Sequence, residues 1–340
     1  WMATRLDGIS RKGRVEMALK VVALDPGYGS TKSAFNKKAA LIQTAVSRVR
    51  DMGMSTIGMR SAGRHAHIVT VGEDTFSVGE GAWYKGDLSN TLDYASIISP
   101  ARMAVFYATL AQIAEPQDFT EPVFLVVGLP VALLESSEAD AVVDSLRKLK
   151  REHAFTVDGK DYKFTVERIR KFAQPVGAYF NYFYDENLKM RPGVKGKEVA
   201  VLDCGFNTLD LYAIIDSEVM DTYVGGADVG VKLLIESIHK NGHSICELDS
   251  RLRGGTLKPT SEQLTEWVGK IMGNIKTRDE RNIDFKRFDV VLPVGGGVVV
   301  AGDKLRDALL ARGANVHWSD DPILDNVNGF LKWGLRSLSN

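Results

Sequence analysis

Cysteine is scarce in this chain, with two among 340 residues, Cys204 and Cys246. Two such thiols give neither a disulfide framework nor metal-ligand spacings, which fits a reducing, cytoplasmic setting. Nothing around Cys204 argues for the lowered pKa a nucleophile needs, so it is expected to be a small buried filler. His239 and His243 stand four apart, but Asn241 and Gly242 interrupt the helix there and no Glu accompanies the first His. Surface histidines are expected rather than a zinc site. No apolar run is long enough to span a bilayer and no signal peptide is visible, so no membrane partner is expected. Excess charge is also missing, since 43 basic residues balance 43 acidic ones for a net charge of +0. That balance excludes a global pull toward nucleic acid, and direct sequence-specific DNA binding is not expected. The basic run at 147–151 reads as the solvated end of a helix.

Hydrophobic residues make up 44% and charged residues 25%, the balance of an ordinary globular protein. At roughly 150 residues per domain, the length suggests two domains. Strand-like runs fall at 20–24, 67–71, 75–78, 123–127, 163–169, 199–202, 211–215 and 290–294. Helical periodicity falls at 100–114, 138–149, 176–187, 230–240, 261–275 and 304–312. Their alternation argues for α/β layers. Residues 1–18 lack periodicity and are expected to be a flexible extension. Residues 36–100 are richer in polar residues and glycine and carry a hairpin pattern turning at Gly72–Asp74. They read as a small subdomain inserted into a first domain of 19–190. A turn-rich bridge at 191–197 opens the second domain, 191–340.

Two segments half the chain apart repeat one pattern. The first ends an apolar run in Leu24-Asp25-Pro26-Gly27-Tyr28-Gly29-Ser30-Thr31-Lys32. The second ends one in Leu202-Asp203-Cys204-Gly205-Phe206-Asn207-Thr208-Leu209-Asp210. Each reads as a buried strand closing on an acid and turning sharply at glycine. A hydroxyl-rich turn presents backbone N–H groups to an anion, and the adjacent acid suits a hydrated divalent cation. Facing each other, two such turns would grip a magnesium-bound phosphate from both sides. The first segment lacks the spacing of a P-loop, though Lys32 can place a point charge on a phosphate.

Three further segments join them. Gln174-Pro175 opens a helix, where an uncharged amide can orient a water. Val224-Gly225-Gly226-Ala227-Asp228 reads as a glycine turn before a helix. Leu292-Pro293-Val294-Gly295-Gly296-Gly297 reads as a strand ending in bare backbone against which a purine could lie.

The order of these five segments resembles the actin, sugar-kinase and chaperone ATPase superfamily. Within it the chain looks like the bacterial and archaeal actin-like proteins of the ParM type. The carriers are 203–210, the Gly128-Leu129-Pro130-Val131 strand end and the Phe76-Ser77-Val78-Gly79-Glu80 hairpin. The resemblance implies two related actin-like (ribonuclease H-like) domains flanking a nucleotide cleft, the second with an insertion near 236–288. It implies that ATP or ADP is bound with Mg2+, whose waters Asp25 and Asp203 hold. Gly27, Tyr28, Gly29, Ser30, Thr31 and Lys32 would cradle phosphates together with Gly205, Phe206, Asn207 and Thr208. Gln174 would position the attacking water. Gly225, Gly226, Asp228, Gly295, Gly296 and Gly297 would contact the nucleoside. It further implies an ATPase that assembles into a homopolymer filament, joined to DNA through a separate DNA-binding adaptor, as in plasmid segregation. A small-molecule (sugar-type) kinase on the same fold, or a non-polymerising nucleotide-dependent scaffold, are the alternatives.

Overall fold

A computed structural model describes residues 18–49, 66–82, 98–238 and 242–339. The expected extension at 1–18 lies outside the described residues except for its last residue. So do parts of the expected first insertion and His239 of the rejected zinc pair.

Thirteen named strands and ten α-helices are described. The first half runs β1 (Lys20–Pro26), β2 (Ser30–Phe35), β3 (Lys38–Gln43), β4 (Val46–Arg48), β5 (His67–Val71), β6 (Asp74–Val78) and α1 (Pro100–Ala111). There follow β7 (Val123–Leu129), α2 (Val131–Glu135), α3 (Ala139–Arg147), β8 (Glu152–Val157), β9 (Lys160–Ala173) and α4 (Gln174–Phe183). The second half runs β10 (Glu198–Cys204), β11 (Leu209–Ile215), β12 (Glu218–Ala227), α5 (Val231–Ser237), α6 (Ile245–Arg253) and α7 (Ser261–Asn274). It closes with β13 (Val290–Val294), α8 (Gly296–Ala301), α9 (Asp303–Ala311) and α10 (Asp325–Ser339).

The two halves share one strand plan. In the first, β3-β2-β1 form an antiparallel meander and β7 adds parallel to β1. In the second, β12-β11-β10 form the same meander and β13 adds parallel to β10. The register matches as well, because Asp25 pairs with Lys32 and Asp203 with Asp210. The repeated sequence is therefore a repeated supersecondary unit, and the mixed α/β actin-like architecture expected from it is present.

The first sheet extends through β9 to β8, β5, β6 and β4. β9 spans both regions: 160–165 pair with β8, and 166–173 pair with β7. The smaller subdomain thus draws on β8 and β9 as well as on the insertion. β3, inside the expected insertion, belongs to the main meander.

Two helices cross between the halves. α4 packs Ala178, Tyr179, Phe180 and Phe183 against Val199, Val201, Leu292 and Val294 of the second sheet. α10, expected in the second domain, returns Val327, Phe330 and Leu331 to Val21, Ala23, Phe124 and Val126 of the first. The helices meet where glycine allows it: a Cβ on Gly329 would stand 1.7 Å from the Gly177 carbonyl oxygen. No helix among the described residues is long and apolar enough to cross a membrane.

Candidate nucleotide-phosphate site

The ends of β1 and β10 face a cavity of about 540 Å3 between the halves. Asp25, at the end of β1, is 1% exposed. Its Oδ2 lies 3.1 Å from Lys32 Nζ, directly across the hairpin, and its Oδ1 accepts a 2.5 Å bond from Gln174 Nε2. Gln174, the first residue of α4, therefore anchors an acid besides facing the cavity. The turn after Asp25 is held by Thr44, whose hydroxyl donates to the Gly27 carbonyl at 2.9 Å.

The second turn is equally fixed. Gly205 N donates to Thr208 O at 2.8 Å, and Lys232 N, in the first turn of α5, donates to Phe206 O at 2.8 Å. Asn207 Oδ1 is buried without a hydrogen-bond partner among the described residues. The two turns touch, since a Cβ on Gly29 would lie 2.6 Å from Phe206 Cβ.

Asp203 accepts a 2.7 Å bond from Asn326 Nδ2 of α10. Burial, and then the charge of Asp25, push its pKa up to about 6. Asp210, opposite it on β11, is pushed up to about 7, again by burial first and then by Asp203. Thr208 Oγ1 donates to Asp210 Oδ2 at 3.0 Å. Buried acids this close together favour a cation beside them. No group of three or more His, Cys, Asp or Glu side chains fit to hold a metal occurs among the described residues. The donor set, two facing carboxylates beside two anion-cradling turns, fits a magnesium ion that keeps its waters and shares phosphate oxygens, not an all-protein cage.

Of the expected site residues, Asp25, Gly27, Tyr28, Gly29, Ser30, Lys32, Gln174, Asp203, Gly205, Phe206, Asn207, Thr208, Gly295 and Gly296 line the cavity. The others lie elsewhere. Thr31 points to the opposite face of β2 and contacts Thr44 Oγ1 at 3.1 Å. Gly225 and Gly226 are not a turn before a helix but the end of β12, paired with Leu211 and Asp210. A Cβ on Gly226 would stand 2.6 Å from Asp210 Oδ1, so the glycine makes room for that acid. Asp228 is exposed outside the lining. Gly297 packs α8 onto β10, where a Cβ would lie 2.3 Å from Cys204 Sγ. Cys204 is fully buried and its thiol pKa is raised by burial, as suits a filler.

Asp210, which closes the second repeated segment, also lines the cavity, but nothing in the sequence pointed to the far wall. That wall brings Asp249, Leu252 and Arg253 of α6, then Leu257, Lys258 and Pro259, toward Val299 and Val300 of α8. Asp249 is buried and ion-paired to Arg253 Nε at 2.8 Å. Here an apolar slot with a few polar groups continues from the phosphate-type turns.

A twice-built strand-turn-strand unit enclosing such a cleft is the actin-like fold. Residues 23–177 match the family described as actin like proteins N terminal domain. Among solved structures, actin-like protein Alp7A is 15% identical with a TM-score of 0.70, covering 94% of this chain and 96% of that one. The archaeal actin homologue Ta0583 in complex with ADP is 18% identical with a TM-score of 0.68, covering 94% and 100%. A 15-stranded ParM filament from Clostridium botulinum is 19% identical with a TM-score of 0.63, covering 94% and 100%. No curated protein sequence matches the chain.

Proposed function

We propose that this chain binds and hydrolyses ATP with Mg2+ and assembles into filaments, in a cytoskeletal or DNA-segregating role. The observation that carries the reading is the pair of Asp-ended strands whose turns face each other, with Asp25, Asp203 and Gln174 converging between them. The ADP complex of the archaeal homologue and the ParM filament lend support, each as a property of that protein.

On this reading the turns at 27–30 and 205–208 hold the phosphates through backbone N–H groups and Lys32. Asp25 and Asp203 orient the waters of Mg2+, which when bound would neutralise charge on the transferring phosphoryl group. Gln174 holds Asp25 and presents its amide edge to the attacking water. Hydrolysis then rests on positioning and charge stabilisation by groups already fixed in place. Release of phosphate loosens the cleft and weakens contacts between copies of the chain. A separate adaptor would connect the filament to DNA, as the neutral chain has no general attraction for it.

The test is phosphate release from ATP against protein concentration, with Gln174→Ala as the site control. Turnover per chain should rise with concentration, and the variant should bind ATP while hydrolysing it roughly 10²-fold more slowly. Turnover that is independent of concentration and needs a second small-molecule substrate would favour the kinase alternative. Lost ATP affinity in Gln174→Ala would reduce Gln174 to a structural helix start.

A further inference from the structure

Gln43, the last residue of β3, is 7% exposed and lies behind the cavity wall. Its amide makes three hydrogen bonds, all to α6 of the other half. Nε2 donates to Asp249 Oδ2 at 2.9 Å and to the Cys246 carbonyl at 3.0 Å, while Oε1 accepts from Ser250 Oγ at 2.8 Å. Leu41 of the same strand and Asp249 of that helix both line the cavity, so these bonds join two sides of its lining.

The same residue is tied to the first phosphate-type turn. Gln43 pairs with Ser30 in the β2–β3 register, and the next residue donates from Thr44 N to Gly29 O at 3.1 Å. One short piece of chain therefore holds the 27–30 turn through its backbone and α6 through its side chain. A neutral amide suits this place. It donates to the Asp249 carboxylate, which Arg253 already neutralises, and accepts from a hydroxyl, so no charge is left uncompensated.

We infer that Gln43 is a latch across the cleft that sets how fast bound nucleotide is released, acting as a positioning residue with no contact to the ligand. The inference rests on the nucleotide reading above. Breaking the latch frees α6, and with it Asp249 and Arg253, from the wall that carries the first turn. Nucleotide held from both sides then escapes sooner.

The experiment is stopped-flow displacement of a fluorescent ADP analogue from the full chain, its Gln43→Ala and Gln43→Glu variants, and Ser250→Ala. Gln43→Ala should release the analogue about tenfold faster. Gln43→Glu, which sets a carboxylate against Asp249, should release it faster still, and Ser250→Ala, which loses one bond of the three, should fall between wild type and Gln43→Ala. Apo melting temperatures should stay within a few degrees of wild type, since the sheet and helix cores are untouched. Equal release rates in all four proteins would overturn the latch. Hydrogen exchange over residues 245–253 of the apo protein gives a readout that needs no nucleotide. Faster exchange in the Gln43 variants and in Ser250→Ala is expected, and unchanged exchange overturns the inference. If wild type fails to bind the analogue, the nucleotide reading falls and exchange alone decides the latch. If the Gln43 variants fail to fold, Ser250→Ala decides it in both measurements.

Discussion

Asp203 is buried and faces Asp25, and these two causes push its carboxyl up to about 6 from 3.8. A folded-state pKa above the unfolded value means that the folded chain prefers the protonated acid. Its contribution to stability is complete below about pH 4 and is lost as pH rises through about 6. At neutral pH the ionised side chain is held at some cost to the fold. Asp203→Ala should therefore abolish ATP hydrolysis while leaving the apo melting temperature at neutral pH unchanged or higher. A large fall in melting temperature would show that Asp203 is a structural acid. Asp325 offers the same test away from the phosphates. Burial pushes it up to about 6, although Asn181 and Ser319 both donate to its Oδ1. Asparagine keeps that acceptor without the charge. Asp325→Asn should match wild type near pH 4 and gain on it as pH rises through 6, reaching about 2 kcal/mol in urea unfolding at pH 8. A gain that does not change with pH would contradict the assignment.

Among the elements, α4 and α10 carry the connection between the halves, and glycine sets how near they come. Gly329→Ala would place its Cβ 1.7 Å from a backbone oxygen of Gly177, with Asn181 N at 2.8 Å. The helices must separate, and the expected loss exceeds about 3 kcal/mol in chemical unfolding. Gly269, inside α7, has nothing within 4 Å of a built Cβ. There alanine should add roughly 0.5–1 kcal/mol through helix propensity alone. Equal effects at the two sites would remove the case for a close crossing. The same glycines explain what was hard to see in the sequence. α10 reads DNVNGFLKWGLRSLS, and its two glycines and two asparagines are poor helix formers. Yet Gly329 admits α4, Gly334 admits Val21, and Asn326 reaches Asp203. β2, STKSAF, is buried along most of its length and shows no alternation. Gly225 and Gly226 looked like a turn because their partner, Asp210, is visible only once β11 and β12 pair.

For the molecule as a whole, duplication made the centre of the cleft legible and left its walls hidden. Asp25 and Asp203 stood out because one local pattern occurs twice, and Gln174 because proline marks a helix start. Asp249, Arg253 and Gln43 have no local signature. Their partners lie either on a neighbouring turn of α6 or more than 200 residues away, so only the assembled fold gives them a role. The architecture is one in which a ligand between the turns would join two similar bodies, and the central claim is that this ligand is Mg-ATP and that closure drives assembly. Light scattering of the purified chain after addition of Mg-ATP tests it most directly. The account predicts a rise only above a threshold protein concentration, followed by decay as phosphate is released, and no rise with Asp203→Ala in place of wild type. A flat trace at every concentration, with nucleotide demonstrably bound, would contradict it.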